Sequence, residues 1–293
     1  MRSQLYRSDD GKAQVHAEYR SVLDAWPVPR EEIRVPTCQG ETFVVTCGPA
    51  DAPAVVLLHG GATNSAMWIR SVQTWASTFR LYAVDIIGEP GFSAPSRPPL
   101  SSDAYARWLD DVLAALRLSC VSLVGASLGG LLALDYAIRR PASVRALVLL
   151  APAGIANVRV GYLLSAVPLY FMGAWGRRKA LELVMGLPPE EMTPTAERFL
   201  KSCELIMSHH VIRTQPLPVF GDEALRKLRM PVLAVLGAKD VVFNSNAIRR
   251  RLQACVDGAR VIWLETAGHG LTDQTAAIRD FLSLDIHSSP PGT

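Results

Sequence analysis

Val124-Gly125-Ala126-Ser127-Leu128-Gly129-Gly130 lies between a short, uncharged and mostly apolar run, Val121 to Val124, and an amphipathic stretch from Leu128 to Arg139. A short aliphatic run without polar alternation reads as a strand buried on both faces. The stretch after it has the length and spacing of a helix. The heptapeptide is therefore a strand–turn–helix corner. Glycine at 125 and 129 predicts a turn so tight that side chains there would collide with neighbouring backbone. Ser127 is then held in strained geometry with its hydroxyl projecting above the sheet. The following helix aims unpaired N–H groups and partial positive charge at the same spot.

Comparable runs recur on both sides of this corner. Ala54 to Leu58, Leu81 to Val84, Val144 to Leu150, Val232 to Leu236 and Val261 to Leu264 are all short and apolar, with Arg145 the one charge among them. They alternate with helical segments at Asp103 to Arg117, Leu128 to Arg139, Asn246 to Cys255 and Leu271 to Leu284. The alternation predicts a mostly parallel, doubly wound α/β sheet covered by helices on both faces. Ahead of it, Val15 to Trp26 has helical spacing and is ended by Pro27. Glu32 to Val35 and Thr42 to Cys47 read as two strands prone to antiparallel pairing.

One interval breaks the rhythm. Between Leu150 and Val232 lie about 80 residues, whereas a simple crossover needs only a dozen or more. The apolar, proline-punctuated segment 154–218 is expected to be an inserted helical cap, with residues 1–153 and 219–293 forming the core. It leaves a strand's carboxyl end, where open α/β sheets bind their ligands. Its first half, Val158 to Trp175, carries Arg159 as its single charge. Half of these apolar residues are expected to dock on the core and the rest to line a pocket.

A serine hydroxyl needs a base to act as a nucleophile, and the base needs an orienting acid. Two later turns supply candidates. The strand at Val232 runs into Gly237-Ala238-Lys239-Asp240, and the strand at Val261 runs into Ala267-Gly268-His269-Gly270. Both leave the same edge of the sheet as Ser127. Glu265 and Asp273 compete with Asp240 for the acid's place. Among the other histidines, His16 and His287 lie near the ends, His59 belongs to a separate motif, and His209 and His210 fall in the insert. That motif, Leu57-Leu58-His59-Gly60-Gly61-Ala62-Thr63, turns out of a buried strand through two glycines. Acyl transfer needs preorganised N–H donors for a developing oxyanion. Leu128, after the serine, and Gly61 are the candidates.

Composition excludes several classes. With 30 Lys and Arg against 27 Asp and Glu in 293 residues, the charge is too even to imply nucleic acid. The clusters Arg177-Arg178-Lys179 and Arg249-Arg250-Arg251 read as solvated helix faces. Five scattered cysteines form no C-x-x-C pair, so they read as reduced and mostly buried, with no zinc site. No cofactor or metal motif appears. The apolar stretch around Val158 is too interrupted for a membrane span, and no apolar leader precedes it, so a cytoplasmic location is expected. The polar tail after Asp285 is expected to be disordered.

These motifs, in this order, resemble the α/β-hydrolase superfamily, and the resemblance covers nearly all of the chain. Trp26-Pro27-Val28-Pro29 and Asp85-Ile86-Ile87-Gly88-Glu89-Pro90-Gly91-Phe92-Ser93 are similar to a bacterial carboxylesterase group. The resemblance implies the α/β-hydrolase fold, a triad of Ser127, Asp240 and His269, and an oxyanion hole at Gly61 and Leu128. It implies ester hydrolysis, and the apolar first half of the insert adds the expectation of a small, largely apolar substrate. Some relatives carry the acid after the strand preceding the cap; Ala151-Pro152-Ala153-Gly154 here has no carboxylate, which favours Asp240. Many relatives have Gly-His-Gly where this chain has Gly88-Glu89-Pro90-Gly91, so an acidic residue is expected near the pocket. The scaffold also hosts C–C hydrolases, acyltransferases and receptors that bind small molecules without turnover. Leu128, where C–C hydrolases usually have Met, disfavours the first of these.

Overall fold

The computed structural model describes residues 5–186 and 192–288. Its strands are β1 (Arg30–Val35), β2 (Thr42–Cys47), β3 (Ala54–Leu58), β4 (Arg80–Val84), β5 (Val121–Ala126), β6 (Val144–Leu150), β7 (Val232–Gly237) and β8 (Arg260–Leu264). They form one eight-stranded sheet in the order β1-β2-β4-β3-β5-β6-β7-β8. β2 pairs antiparallel with both β1 and β4, and β3 to β8 run parallel. All six strand-forming runs beyond Cys47 take the places that their aliphatic composition predicts.

The sheet is buried on both faces because its strands alternate between two apolar layers. In β3, Val55 and Leu57 join one core, and Val56 and Leu58 join the other. Three helices complete the first layer, α1 (Asp9–Asp24), α2 (Ile69–Trp75) and α10 (Thr275–Ser288), through Tyr19, Leu23, Trp75 and Phe281. The second is covered by α3 (Ala104–Ala115), α4 (Leu128–Arg139) and α9 (Ser245–Cys255), through Trp108, Leu131 and Ile248. The short α8 (Asp222–Leu225) precedes β7 and adds Leu225 to this layer.

Three helices form the long interval between β6 and β7: α5 (Val160–Tyr170), α6 (Gly173–Met185) and α7 (Pro194–His209). Its two stems are tied together at the base, where Phe220 N–H donates to Gly154 C=O at 2.8 Å. Arg251 of α9 donates to both stems, to Ile155 C=O and to Phe220 C=O, and pairs with Asp222. The expectation of a solvated face at Arg249-Arg250-Arg251 is therefore wrong for Arg251. A guanidinium with five donors reaches buried carbonyls that no local pattern announces. Arg178 likewise departs from that expectation, bridging Glu182, Glu197 and Glu204 between α6 and α7.

Element boundaries differ from the periodicity in three places. α1 begins at Asp9, two turns before Val15, because Ser8 caps it by accepting from Gly11 N–H and two aspartates occupy its first turn. Those turns pack on the end of α7, where a Cβ at Gly11 would lie 2.7 Å from His209 Cγ, and further along Ser202 donates to Glu18 at 2.9 Å and Arg198 to Ser21 at 2.8 Å. α10 begins at Thr275 instead of Leu271, since Asp273 accepts from Thr275 N–H at 2.9 Å and caps the helix there. α2 is seven residues long, too short for its period to register, although Trp75 is fully buried. The tail expected to be disordered after Asp285 instead continues α10 through Ser288, and the rest of it lies outside the described residues.

A larger difference concerns the insert. Val160, Leu164, Phe171, Met172 and Trp175 are between 57% and 79% exposed, so they neither dock on the core nor line a pocket. Val158 and Tyr162 pack on the core as expected. The exposed five are consistent with a stripe wider than the single surface that α5 and the start of α6 have to cover. Among the described residues, no helix is long and apolar enough to cross a membrane.

Candidate active site

Ser127 stands between β5 and α4 with φ 49° and ψ −108°, a conformation L-residues rarely adopt. Its backbone is pinned on both sides. Ser127 N–H donates to Leu150 C=O at 2.9 Å, and its carbonyl accepts from Leu131 and Ala153 at 3.0 and 3.1 Å. A Cβ at Gly125 would lie 2.6 Å from the Gly129 carbonyl carbon, and one at Gly129 would meet the carbonyls of Leu58 and His59. Both glycines are thus required by the close approach of β5, α4 and the loop after β3.

β7 and β8 deliver the other two groups to the same edge. Their loops are zipped together, Ala238 N–H to Leu264 C=O and Lys239 N–H to Ala267 C=O, both at 2.9 Å. His269 Nε2 lies 3.0 Å from Ser127 Oγ, and His269 Nδ1 lies 2.9 Å from Asp240 Oδ2. Asp240 is buried, and its Oδ1 accepts the N–H groups of Val242 and Phe243 at 2.7 and 3.1 Å. Hydroxyl, imidazole and carboxylate therefore form one continuous hydrogen-bonded series. Neither competing acid joins it: Glu265 is exposed, and Asp273 caps α10.

The loop after β3 closes the site from the other side. A Cβ at Gly60 would lie 3.8 Å from Ser127 Cβ, and one at Gly61 would lie 3.6 Å from Leu128 Cβ. His59 is fully buried, its Nε2 accepting from Ile86 N–H at 2.9 Å, and burial lowers its pKa from the ordinary value. Thr63 Oγ1 donates to Gly60 C=O at 2.8 Å and closes the turn. Among the described residues, no protein group accepts the N–H of Gly61. Leu128, the first residue of α4, has no intrahelical acceptor for its own N–H. Both N–H groups thus lack a protein acceptor among the described residues, on residues that lie against each other beside Ser127.

Sequence reasoning missed three supports. The first is the end of α6, whose carbonyls at Val184, Met185 and Gly186 accept from His269, Gly270 and Gly268 at 3.2, 2.8 and 3.2 Å. Backbone-to-backbone contacts of this kind leave no trace in residue type, beyond the left-handed Gly186 at φ 52°. The second is Glu89, which is buried and bonded to Ala62 N–H and Arg213. The sequence singled out Glu89, but its partner lies 124 residues away on the return from the insert. The third is His210, also buried, with Nε2 2.9 Å from Arg97 Nη2. Among the described residues, no three His, Cys, Asp or Glu side chains are grouped as metal ligands.

A doubly wound sheet presenting serine, carboxylate and imidazole from the ends of β5, β7 and β8 defines the class: the chain belongs to the α/β-hydrolase family. The profile of the α/β-hydrolase fold matches residues 53–174. The chain is 31% identical to the carboxylesterase YbfK of Bacillus subtilis over 259 residues, covering 87% of this chain and 86% of that one. It is 30% identical over 277 residues to the uncharacterized carboxylesterase nap of the same organism, covering 90% and 89%. The crystal structure of naproxen esterase from Bacillus subtilis superposes with a TM-score of 0.84 at 29% identity, over 96% of this chain and 99% of that one.

Proposed function

We propose that the protein is a serine carboxylesterase acting through an acyl-enzyme on Ser127. The observation that carries this reading is the series Ser127 Oγ, His269 Nε2, His269 Nδ1 and Asp240 Oδ2, with links of 3.0 and 2.9 Å. His269 takes the hydroxyl proton as Ser127 Oγ attacks the ester carbonyl, and Asp240 holds Nδ1–H and stabilises the imidazolium. The N–H groups of Gly61 and Leu128 receive the oxyanion. The imidazolium then protonates the leaving alkoxide and the alcohol departs. Water, deprotonated by His269, attacks the acyl-enzyme, and the carboxylic acid is released as the serine regains its proton.

Similarity to carboxylesterases over most of the chain supports an ester as the substrate. Val158, Tyr162 and Ala166, the inward-packed members of residues 158–175, support a small, largely apolar one. Segment 154–218 acts in this reading as the cap over the site, with the end of α6 steadying the loop of His269.

The test is labelling with a fluorophosphonate together with hydrolysis of p-nitrophenyl esters. Wild type should be labelled on Ser127 and turn over. Ser127→Ala should take no label and lose activity down to roughly the 10³–10⁴-fold over water left by the oxyanion hole and binding. A Ser127→Ala protein that hydrolyses at the wild-type rate would end the reading.

A further inference from the structure

The oxyanion loop is held by a charge the proposed chemistry does not use. Glu89 Oε2 accepts the N–H of Ala62 at 2.8 Å, and Oε1 accepts from Arg213 Nε and Nη2 at 3.2 and 3.1 Å. The pair is almost completely enclosed, with side chains 2% and 7% exposed. Arg213 is fixed in turn, donating to Tyr105 Oη at 2.7 Å and to Gln215 Oε1 at 3.0 Å. We propose that Glu89, neutralised by Arg213, is a positioning residue that keeps the Gly61 N–H aimed at the oxyanion. This rests on the reading of Gly61 and Leu128 as the oxyanion donors.

Stability alone is a poor reason for such a pair. Desolvating two charges costs several kcal/mol per ion, and apolar replacements of buried pairs are often as stable. A carboxylate does supply a short, charge-assisted bond of fixed direction. That is what this loop lacks locally. Gly60 and Gly61 both have the conformational freedom of glycine. Ala62 sits at φ 53°, in the left-handed region, which costs an L-residue roughly 1–2 kcal/mol unless its surroundings hold it there.

Gly61 Cα joins two peptide planes, and the Gly61 N–H lies in the first of them, with the Gly60 carbonyl. Thr63 Oγ1 grips the carbonyl of Gly60 on one side, and Glu89 grips the N–H of Ala62 on the other. Releasing the second grip leaves the Gly61 φ and ψ angles free to turn. Removing a whole oxyanion donor costs about 10²–10³ in kcat, so misaligning one should cost a substantial part of that.

The experiment compares Glu89→Gln, Arg213→Lys and Tyr105→Phe with wild type on a p-nitrophenyl ester and two ketone inhibitors. A trifluoromethyl ketone adds the serine as a hemiketal oxyanion, whereas the matching methyl ketone binds without that charge. In Glu89→Gln the carboxamide cannot accept from both Ala62 and Arg213 as the carboxylate does. Its kcat should fall about 10- to 100-fold, with KM within about threefold. Affinity for the trifluoromethyl ketone should fall in parallel with kcat, and affinity for the methyl ketone should hold.

Arg213→Lys keeps the charge and should retain more activity than Glu89→Gln. Tyr105→Phe should show the same pattern more weakly, and it supplies the readout if Glu89→Gln does not fold. Turnover within twofold of wild type, or equal loss for the two ketones, overturns the proposal. A wild type labelled on Ser127 beside an undiminished Glu89→Gln overturns this inference alone. No label on wild-type Ser127 overturns it together with the proposed function.

Discussion

Asp240 and His269 meet at 2.9 Å from the ends of neighbouring parallel strands, and the second oxygen of Asp240 is already occupied by two backbone N–H groups. That occupancy makes the carboxylate directional. In Asp240→Asn, the N–H groups of Val242 and Phe243 require the amide oxygen on their side. The NH₂ then faces His269 Nδ1 and forces it to accept, which leaves the proton on Nε2 where it cannot serve as base. Expected is a fall in kcat of about 10⁴ with the fold intact. Glu265→Gln and Asp273→Ala should act mildly, since neither side chain reaches the imidazole. An Asp273→Ala more damaged than Asp240→Asn would reassign the acid.

The loop of His269 rests on the end of α6, and Gly268 is the close point. A Cβ there would lie 2.8 Å from both the Met185 carbonyl oxygen and Gly186 Cα. Gly268→Ala should therefore push the two segments apart, at a cost of roughly 1–3 kcal/mol. Because His269, Gly268 and Gly270 all donate to this helix end, kcat should fall as well. A lowered Tm with unchanged kcat would show that α6 supports the loop's stability but not the imidazole's position.

What the sequence announced and what it concealed follow from the range of the interactions. β5, the turn at Ser127 and α4 were legible because strand burial, glycine and helical period all act within a few residues. Asp240 and His269 were legible because each follows a strand in a known chain order. Arg251, Arg213 and the end of α6 were not, since each acts on backbone or charge brought near only by the fold. The exposed face of α5 was misread for a related reason. Apolar content shows that a surface prefers burial, but Phe171 and Leu164 have no groove to enter once Tyr162 and Val158 have taken the core contacts.

His210 gives a prediction on pH. Burial, then the charges of Arg97 and Arg213, push its pKa down to about 3 from an ordinary 6.5. It is therefore neutral in the fold, with Tyr6 packed edge-on against the ring. Between pH 3 and 6.5 the unfolded chain binds a proton here that the folded chain does not. This contribution to stability is complete above pH 6.5 and declines as pH falls through that window, by up to about 1.4 kcal/mol per unit. His59 is shifted the same way by its burial, so the comparison with a variant isolates His210. His210→Gln keeps an acceptor for Arg97 without titrating. Urea unfolding at pH 7 and pH 5 should show wild type losing about 2 kcal/mol more than the variant on acidification. Equal losses would mean that His210 is not held neutral.

The last prediction concerns the outer face of the insert. Leu164 and Phe171 are 74% and 79% exposed, so neither is placed to touch an acyl chain at Ser127. Leu164→Ser with Phe171→Ser should leave kcat/KM for p-nitrophenyl acetate, butyrate and hexanoate within about twofold of wild type, because exposed substitutions distant from a site act weakly. Any rise with chain length in wild type should persist in the variant, since a buried methylene adds roughly 0.8 kcal/mol only where it is enclosed. Tyr170 offers the contrast on the same helix. Its hydroxyl donates to Met207 C=O at 3.0 Å and accepts from Arg7, tying α5 to α7 and to the N-terminal segment. Tyr170→Phe removes that tie, and it should lower Tm while sparing the chain-length trend. A double serine variant that loses its preference for longer esters would show that the outer face closes over the substrate in turnover.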